Sequence, residues 1–406
     1  MNEGAKPINV AVYQYVIPEY RESLFAAMSR RPEINLEVFA SLSAPLYPKT
    51  RTLDQDFCFH CVPFHSTFHE HVSWQDGLQI PGHFTQGDVL VLSGDPGHVS
   101  NYRLMWQAKR RGLGVVWWGH GFRARGGLSD LPKLVVYRLL EYLVDVVLLY
   151  TDEQVENHRR LGFSSCKLFA ANNALDQSQI AKAAAAWGHK ELAAFRLSER
   201  IQDKHVLLAC GRLAPRAKVE LTLAAIAHLA EARKDCVLIV IGDGDRRQAL
   251  TEMVARLGLG DCVRFLGAIY DETRLAPWFM SADCLVHAGA IGLSTLHAFG
   301  YGVPVVTHDN IRGHGPEIAA MRHGDNGLLY KEGDVISLVD NITAILDSAD
   351  LRRQLSKGAS RTIEEKYNME TMLARFVAAI RAASQSKMPP SAYGNVAPSL
   401  AQPVDS

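Results

Sequence analysis

The sequence predicts an α/β protein made of two tandem, doubly wound Rossmann-like domains that face each other across a cleft. Three observations carry this expectation. Apolar runs such as INVAVYQYV, DVLVLSG, HVLLACGRL and CVLIVIGDG are continuous rather than alternating, as in a parallel sheet buried on both faces. Segments with helical periodicity separate these runs, which is the alternation of a crossover-connected sheet. The alternation occurs twice, in a chain of 406 residues that is long enough for two domains.

In the first series, INVAVYQYV is a strand and IPEYRESLFAAMSRR a helix, with Tyr20, Leu24, Ala27 and Met28 at helical spacing. LEVFASL is a strand, and residues 45–87 read as loop, carrying His60, His65, His69 and His71. DVLVLSG is a strand ending in the turn SGDPGH, NYRLMWQAKRRG a helix, and LGVVWWGHG a strand that runs into a small polar loop. LPKLVVYRLLEYLVDVVLLYT reads as helix then strand, and SCKLFAANNALD as strand then turn. These place an N-terminal, acceptor-side domain at 1–176, followed by an alanine-rich helical linker at 177–202.

The second series, 203–368, starts with the strand HVLLACGRL and the helix VELTLAAIAHLAEAR. CVLIVIGDG, CVRFLGA, SADCLVHA and VPVVT are further strands, RRQALTEMVARLGL and DETRLAPWFMSA are helices, and NGLLYKEGD and the helical SLVDNITAIL close the domain. The amphipathic segment NMETMLARFVAAIRAA, within 369–386, is expected to cross back to the first domain. Residues 387–406 lack the apolar content to pack and are expected to be disordered.

The stretch VHAGAIGLSTLHAFGYGVPVV, 286–306, organises this second series. A strand arrives, a loop carries Gly289 and Gly292, and a short helix follows around Leu293–Gly300. Ser294, His297 and Tyr301 share its more polar face. A glycine loop opening a helix leaves amides unpaired at the positive end of the dipole, an arrangement that suits a phosphate or diphosphate. An ordinary strand–helix turn without a ligand has the same local signature.

Composition narrows the partners. Lys and Arg number 43 and Asp and Glu 43, a balance that argues against nucleic acid. No run of about 18 apolar residues occurs, so no membrane span is predicted. The start, MNEGAKPINVAVYQYV, has acidic and polar residues where a signal peptide needs a basic and then an apolar segment, so a cytoplasmic protein is expected. Seven cysteines scattered through apolar strands look like small core residues in a reducing compartment.

Several patterns invite a metal reading. Cys58 and Cys61 form a CxxC around His60, without a second ligand pair at zinc spacing. Asp243 and Asp245 in GDGD follow a strand and read as turn residues. His308, Asp309 and His314 lie close in sequence, in a loop that reads better as facing phosphate or sugar. No metal and no cofactor is predicted.

Taken together, CGRLAPRAKVELTLAAI, VIGDGDRRQALTEMVARLGLGDCVRFLG, the 286–306 stretch and GHGPEIAAMRHGDNGLLYKEGDVISL resemble, in order and spacing, the retaining nucleotide-sugar glycosyltransferases of family 4, with the GT-B fold. The resemblance covers nearly all of 145–385; in the first half it rests on IPEYRESLF, VVWWGHG and YTDEQVENHRRLGFSSCKLFAANNALD. It implies that Arg212 neutralises the donor diphosphate, and that Gly292, Leu293 and Ser294 form the turn whose amides meet the β-phosphate. It also implies that His120 stands next to the transferred sugar, that Glu317 belongs to the donor side, and that Tyr20 and Arg21 lie on the acceptor side.

Two departures from the family pattern stand out. The family lysine falls at Ala217, and Lys218 lies where a glycine is common; the positive charge comes from Lys218, from Arg216 or from elsewhere. The two family glutamates fall at Gly289 and His297, and a histidine can still hydrogen-bond a ribose hydroxyl.

The resemblance implies transfer of a hexose from a nucleotide diphosphate sugar to a glycan or lipid-linked acceptor, with retention. Bacterial surface or exopolysaccharide biosynthesis, with peripheral association at the inner membrane, is the expected setting. The competing readings are a GT-B-fold sugar-nucleotide epimerase, a phosphorylase, and a non-catalytic sugar-nucleotide-binding subunit. Gly289 weakens the first, no pyridoxal lysine site supports the second, and the missing lysine and glutamate favour the third.

Overall fold

The structure is a computed structural model that describes residues 6–44, 56–67, 72–122, 127 and 130–388. His69, His71 and residues 389–406 of the expected tail lie outside the described residues. Two compact units emerge. The first comprises the chain through Leu149, Gln154–Ala170 and the C-terminal segment from Arg375; the second comprises Tyr150–Glu153 and Ala171–Ala374.

The first unit is built on a seven-stranded parallel sheet. Its strands are β1 (Ile8–Tyr13), β2 (Ile34–Ala40), β3 (Cys58–Cys61), β6 (Val89–Ser93), β7 (Gly114–Gly119), β8 (Val146–Leu149) and β9 (Leu168–Ala170), in the order β3-β2-β1-β6-β7-β8-β9. A separate antiparallel hairpin joins β4 (Phe64–Thr67) to β5 (Val72–Gln75). The central strands are almost fully buried, as their unbroken apolar runs require. Strands β3, β4 and β5 correct the loop reading of 45–87: each is only four residues long, too short to show a period.

The helix Met369–Gln385 is the last described helix, and from Arg375 onward it belongs to the first unit. Phe376 meets the Trp118 ring edge-on at 4.7 Å, and Ile380 and Ala383 are fully buried.

The second unit holds a six-stranded parallel sheet. Its strands are β10 (His205–Cys210), β11 (Cys236–Ile241), β12 (Val263–Gly267), β13 (Cys284–Val286), β14 (Val305–His308) and β15 (Gly327–Tyr330), ordered β12-β11-β10-β13-β14-β15. The order reverses between β10 and β13, the point in such sheets outside which ligands bind.

The stretch expected to link the domains is instead part of this unit. It forms two helices, Gln177–Ala185 and His189–Ser198. Arg196 donates to the carbonyls of Ser281, Ile201 and Lys204, and Phe195 packs edge-on against Trp278 at 4.9 Å. Alanine and charge dominate the composition here, but Ile180 is buried and Phe195 has a partner to cover. The helices Asp152–Arg160 and Ala349–Glu365 also went unread in the sequence, because charged residues outnumber apolar ones in both.

Candidate functional site

In the second unit the site residues gather at the carboxyl ends of the strands, on both sides of the β10/β13 reversal. The loop after β10 carries Arg212, and Arg212 is exposed. Among the described residues its guanidinium has no carboxylate partner. This loop interlocks with the turn after β11. Leu213 N–H donates to Asp243 O at 2.9 Å, and a Cβ on Gly242, at φ +145°, would stand 1.9 Å from Gly211 O. Asp243 is a turn residue, its Oδ1 accepting from Gly244 N–H at 2.7 Å.

Lys218 sits in the left-handed conformation that favours glycine, with φ +48° and ψ +40°, at the start of the helix Val219–Ala232. Its Nζ donates to Glu332 Oε1 at 2.9 Å, and Asn310 Nδ2 donates to the other oxygen at 2.7 Å. These two donors hold the Glu332 carboxyl down at about 2.

The other departure lies against the same turn. Ala290 N–H donates to Arg216 O at 2.9 Å, and a Cβ on Gly289 would stand 2.0 Å from Arg216 O and 2.6 Å from the Ala217 carbonyl carbon. The absent acid and the absent lysine thus face each other, and backbone fills the space between. With this backbone no side chain fits at 289.

Gly292, Leu293 and Ser294 open the helix Ser294–Gly300. Among the described residues, none of their three amides is bonded to an acceptor. The turn is held from below by the GHGPE loop. His314 Nδ1 accepts from Ile291 N–H at 3.1 Å, so the ring proton sits on Nε2, which donates to His308 O at 2.9 Å. Gly315 N–H donates to Ile291 O at 2.9 Å. Burial pushes His314 down to about 4, so the imidazole is neutral and keeps this tautomer.

Glu317 is buried; Asn173 Nδ2 donates to its Oε1 at 3.1 Å, while Oε2 lies 2.8 Å from where a Cβ on Gly315 would be and 3.8 Å from one on Gly292. It braces the turn from behind. Asn173 is the positioning residue that the sequence does not single out, and His314, read there only as part of a phosphate- or sugar-facing loop, proves to hold the turn itself.

His297 is committed elsewhere. Its Nε2 lies 2.9 Å from Glu272 Oε1 and 3.1 Å from Oε2, and Tyr301 Oη donates to the same Oε1 at 2.5 Å. Phe279 packs edge-on against the imidazole at 4.6 Å. Burial alone would raise the Glu272 carboxyl; the His297 and Tyr301 bonds outweigh it and hold the group below its usual range. The nitrogen expected on a ribose hydroxyl therefore faces a carboxylate that the sequence did not single out.

In the first unit, His120 follows β7 and is exposed. Its loop is pinned by His158, whose Nε2 accepts from Phe122 N–H at 2.9 Å while Nδ1 donates to Gln154 O at 2.7 Å. Arg21 lies over the Trp118 ring, 4.2 Å from its centre, and donates to Gln14; Tyr20 is 5.6 Å away. The structure thus brings Arg21, with Tyr20 beside it, to the strand that precedes His120.

Among the described residues, one trio could offer ligands to a metal: Glu37, Cys58 and His60. Parallel pairing sets Cys58 opposite Glu37, and His60 Nε2 lies 2.7 Å from Glu37 Oε2. His83 Nε2 reaches the other oxygen at 3.2 Å, so two imidazoles already occupy the carboxylate. Cys61 takes no part. His308 and His314 stack at 3.7 Å, but both nitrogens of His314 are engaged in hydrogen bonds.

Comparison with known proteins agrees with this architecture. Residues 193–362 match the family model of glycosyl transferases group 1. The lipopolysaccharide core biosynthesis glycosyltransferase LpsE of Rhizobium meliloti is 29% identical over 173 residues, 42% of this chain and 48% of that protein. The alpha-D-kanosaminyltransferase of Streptomyces kanamyceticus is 26% identical over 42% of this chain and 43% of its own. The chain thus spans about half the length of the curated relatives it matches.

Among solved structures, Anabaena HepE in complex with UDP superposes with a TM-score of 0.67 at 14% identity, over 92% of this chain and 99% of that one. Sucrose-phosphate synthase of Thermosynechococcus elongatus gives 0.66 at 17% identity, over 93% of this chain and 100% of its own. The chain thus has the GT-B fold of these neighbours.

Proposed function

We propose that the protein transfers a hexose from a nucleotide diphosphate sugar to a glycan or lipid-linked acceptor, with retention and without a metal. Its setting is bacterial surface or exopolysaccharide biosynthesis, on the cytoplasmic side and peripheral to the inner membrane. One observation carries the reading. Among the described residues, three successive amides without acceptors and a guanidinium without a carboxylate flank the β10/β13 reversal, where a departing diphosphate needs charge met by fixed donors. The UDP and UDP-glucose complexes of the structural neighbour HepE support a nucleotide sugar as the ligand. In this proposal Arg212 and the amides of Gly292, Leu293 and Ser294 stabilise the diphosphate, and Glu317 holds their turn. His120 acts on the transferring sugar, and Tyr20 and Arg21 serve the acceptor.

The test is calorimetry with UDP on the parent and on Arg212→Ala, beside transfer assays in EDTA. Loss of the charge-assisted bonds should weaken UDP by about 1.5–3 kcal/mol, and turnover should survive chelation. Unchanged UDP affinity would remove Arg212 from the site. Activity lost in EDTA and restored by manganese would end the metal-free reading.

A second reading, a non-catalytic sugar-nucleotide-binding subunit, is favoured by the packing of Gly289 on Ala217, which leaves neither an acid nor a lysine there. Nucleotide binding without transfer or hydrolysis across a panel of UDP-, GDP- and dTDP-sugars would select it.

A further inference from the structure

The helices Ser100–Arg110 and Leu131–Leu143 of the first unit follow adjacent strands and meet at their C-terminal ends, where Lys109 Nζ lies 5.8 Å from the centre of the Tyr142 ring. Leu134, Tyr137 and Leu140 turn the second helix inward. Its outer side is almost wholly apolar. Leu131 is 63% exposed, Leu139 60% and Tyr142 78%, with Val135, Val136 and Leu143 beside them. At 3.6 residues per turn these six side chains cover an arc of about 140°. On the first helix Trp106 is 59% exposed, between Tyr102, Arg103, Lys109 and Arg110.

Charge on this face has one sign. The two helices carry five basic residues (Arg103, Lys109, Arg110, Lys133 and Arg138) and a single acid, Glu141, which is buried and paired with Arg138. Because the whole chain is balanced at 43 against 43, the excess is a property of this face. Leaving six large apolar side chains in water is unfavourable, and a stripe of this extent marks a docking surface. An aliphatic stripe bordered by Trp, Tyr, Lys and Arg is the pattern of a helix lying in the plane of a lipid interface. No described helix is long and apolar enough to cross a membrane.

We infer that this face docks on an anionic lipid surface, the aliphatic stripe entering the headgroup boundary and Arg103, Lys109, Arg110 and Lys133 meeting lipid phosphates. The inference gives the peripheral association proposed above a specific surface. It stands on the exposed residues and not on the transfer chemistry.

The experiment is cosedimentation of the full chain with phosphatidylcholine vesicles and with vesicles that also contain phosphatidylglycerol. Binding is expected to the second kind, weakening as salt rises. The double variant Leu139→Glu, Tyr142→Glu should bind at least tenfold more weakly. Lys109→Gln and Lys133→Gln should each lower partitioning about fivefold. All altered side chains are exposed, so circular dichroism and the melting temperature should match the parent.

Failure of the parent to bind phosphatidylglycerol vesicles overturns the inference, as does full binding by the double variant. A dimer that the double variant abolishes, with no vesicle binding, would make the face an interface between copies of the chain. Neither donor nor acceptor enters the measurement, so it can fail while the transferase reading holds, and the reverse.

Discussion

Lys218 shows how a residue can satisfy a backbone demand while changing the chemistry. Its left-handed conformation costs an L-residue roughly 1 kcal/mol relative to glycine, and the Glu332 ion pair, being half-exposed, returns at most a similar amount. Lys218→Gly should therefore leave stability within about 0.5 kcal/mol of the parent, whereas Lys218→Ala, which keeps the strain and loses the pair, should fall below it by about 1 kcal/mol. Urea unfolding of the two variants checks this, and equal losses would mean that the conformation carries no cost. Arg212 belongs to the same scale. Exposed and without a carboxylate partner among the described residues, it leaves no buried charge behind when removed, so the effect of its loss should be confined to ligand binding.

Between elements, the Glu272–His297–Tyr301 cluster ties the helix Glu272–Ser281 to the helix Ser294–Gly300, whose first turn is the candidate diphosphate site. Removing the imidazole leaves a half-buried carboxylate with Tyr301 alone. His297→Ala should destabilise the fold by about 1.5–3 kcal/mol, and combining it with Glu272→Gln should cost less than the two single losses added together. UDP affinity should change little, because the nitrogen nearest the cluster faces Glu272. Intact stability with weakened UDP binding would restore His297 to the ribose. A similar economy holds the turn itself, where His314, Gly315 and Glu317 converge on Ile291 and Gly292 from one loop.

Across the whole molecule, buried neutral imidazoles couple stability to pH. Burial pushes His98, in the first unit, and His314, in the second, down to about 4. In the unfolded chain each titrates near 6.5. Between pH 6.5 and 4 the unfolded state therefore binds more protons, so acid favours unfolding and stability falls as pH drops. The contribution is fully present above about 6.5 and is lost on approach to 4, on the order of 3 kcal/mol per histidine. Melting temperatures should be flat from pH 7 to 8 and fall steadily below 6.5, with a shallower slope in His314→Gln. An equal slope in that variant would mean that His314 is not held neutral.

Much of the fold was legible because its signals are local. Unbroken apolar runs mark strands buried on both faces, helical spacing marks the crossovers, and glycines such as Gly242 stand where backbone meets backbone. The same locality exposed the glycine turn at Gly292–Ser294 as a candidate, whereas Arg212 came from the family resemblance. Strands β3 to β5 and the helices Asp152–Arg160 and Ala349–Glu365 were not legible, since four-residue strands and charge-rich helices carry no period strong enough to read. Partnership was beyond the sequence altogether. Glu317 finds Asn173 across 144 residues, His158 pins the loop after His120 from 36 residues away at Phe122, and His297 meets Glu272 rather than open space. By itself the sequence determined the two alternating series and the glycine turns, because propensity and burial act over a few residues. Only the tertiary structure decided which polar groups meet, because such a bond depends on the packing of elements distant in the chain.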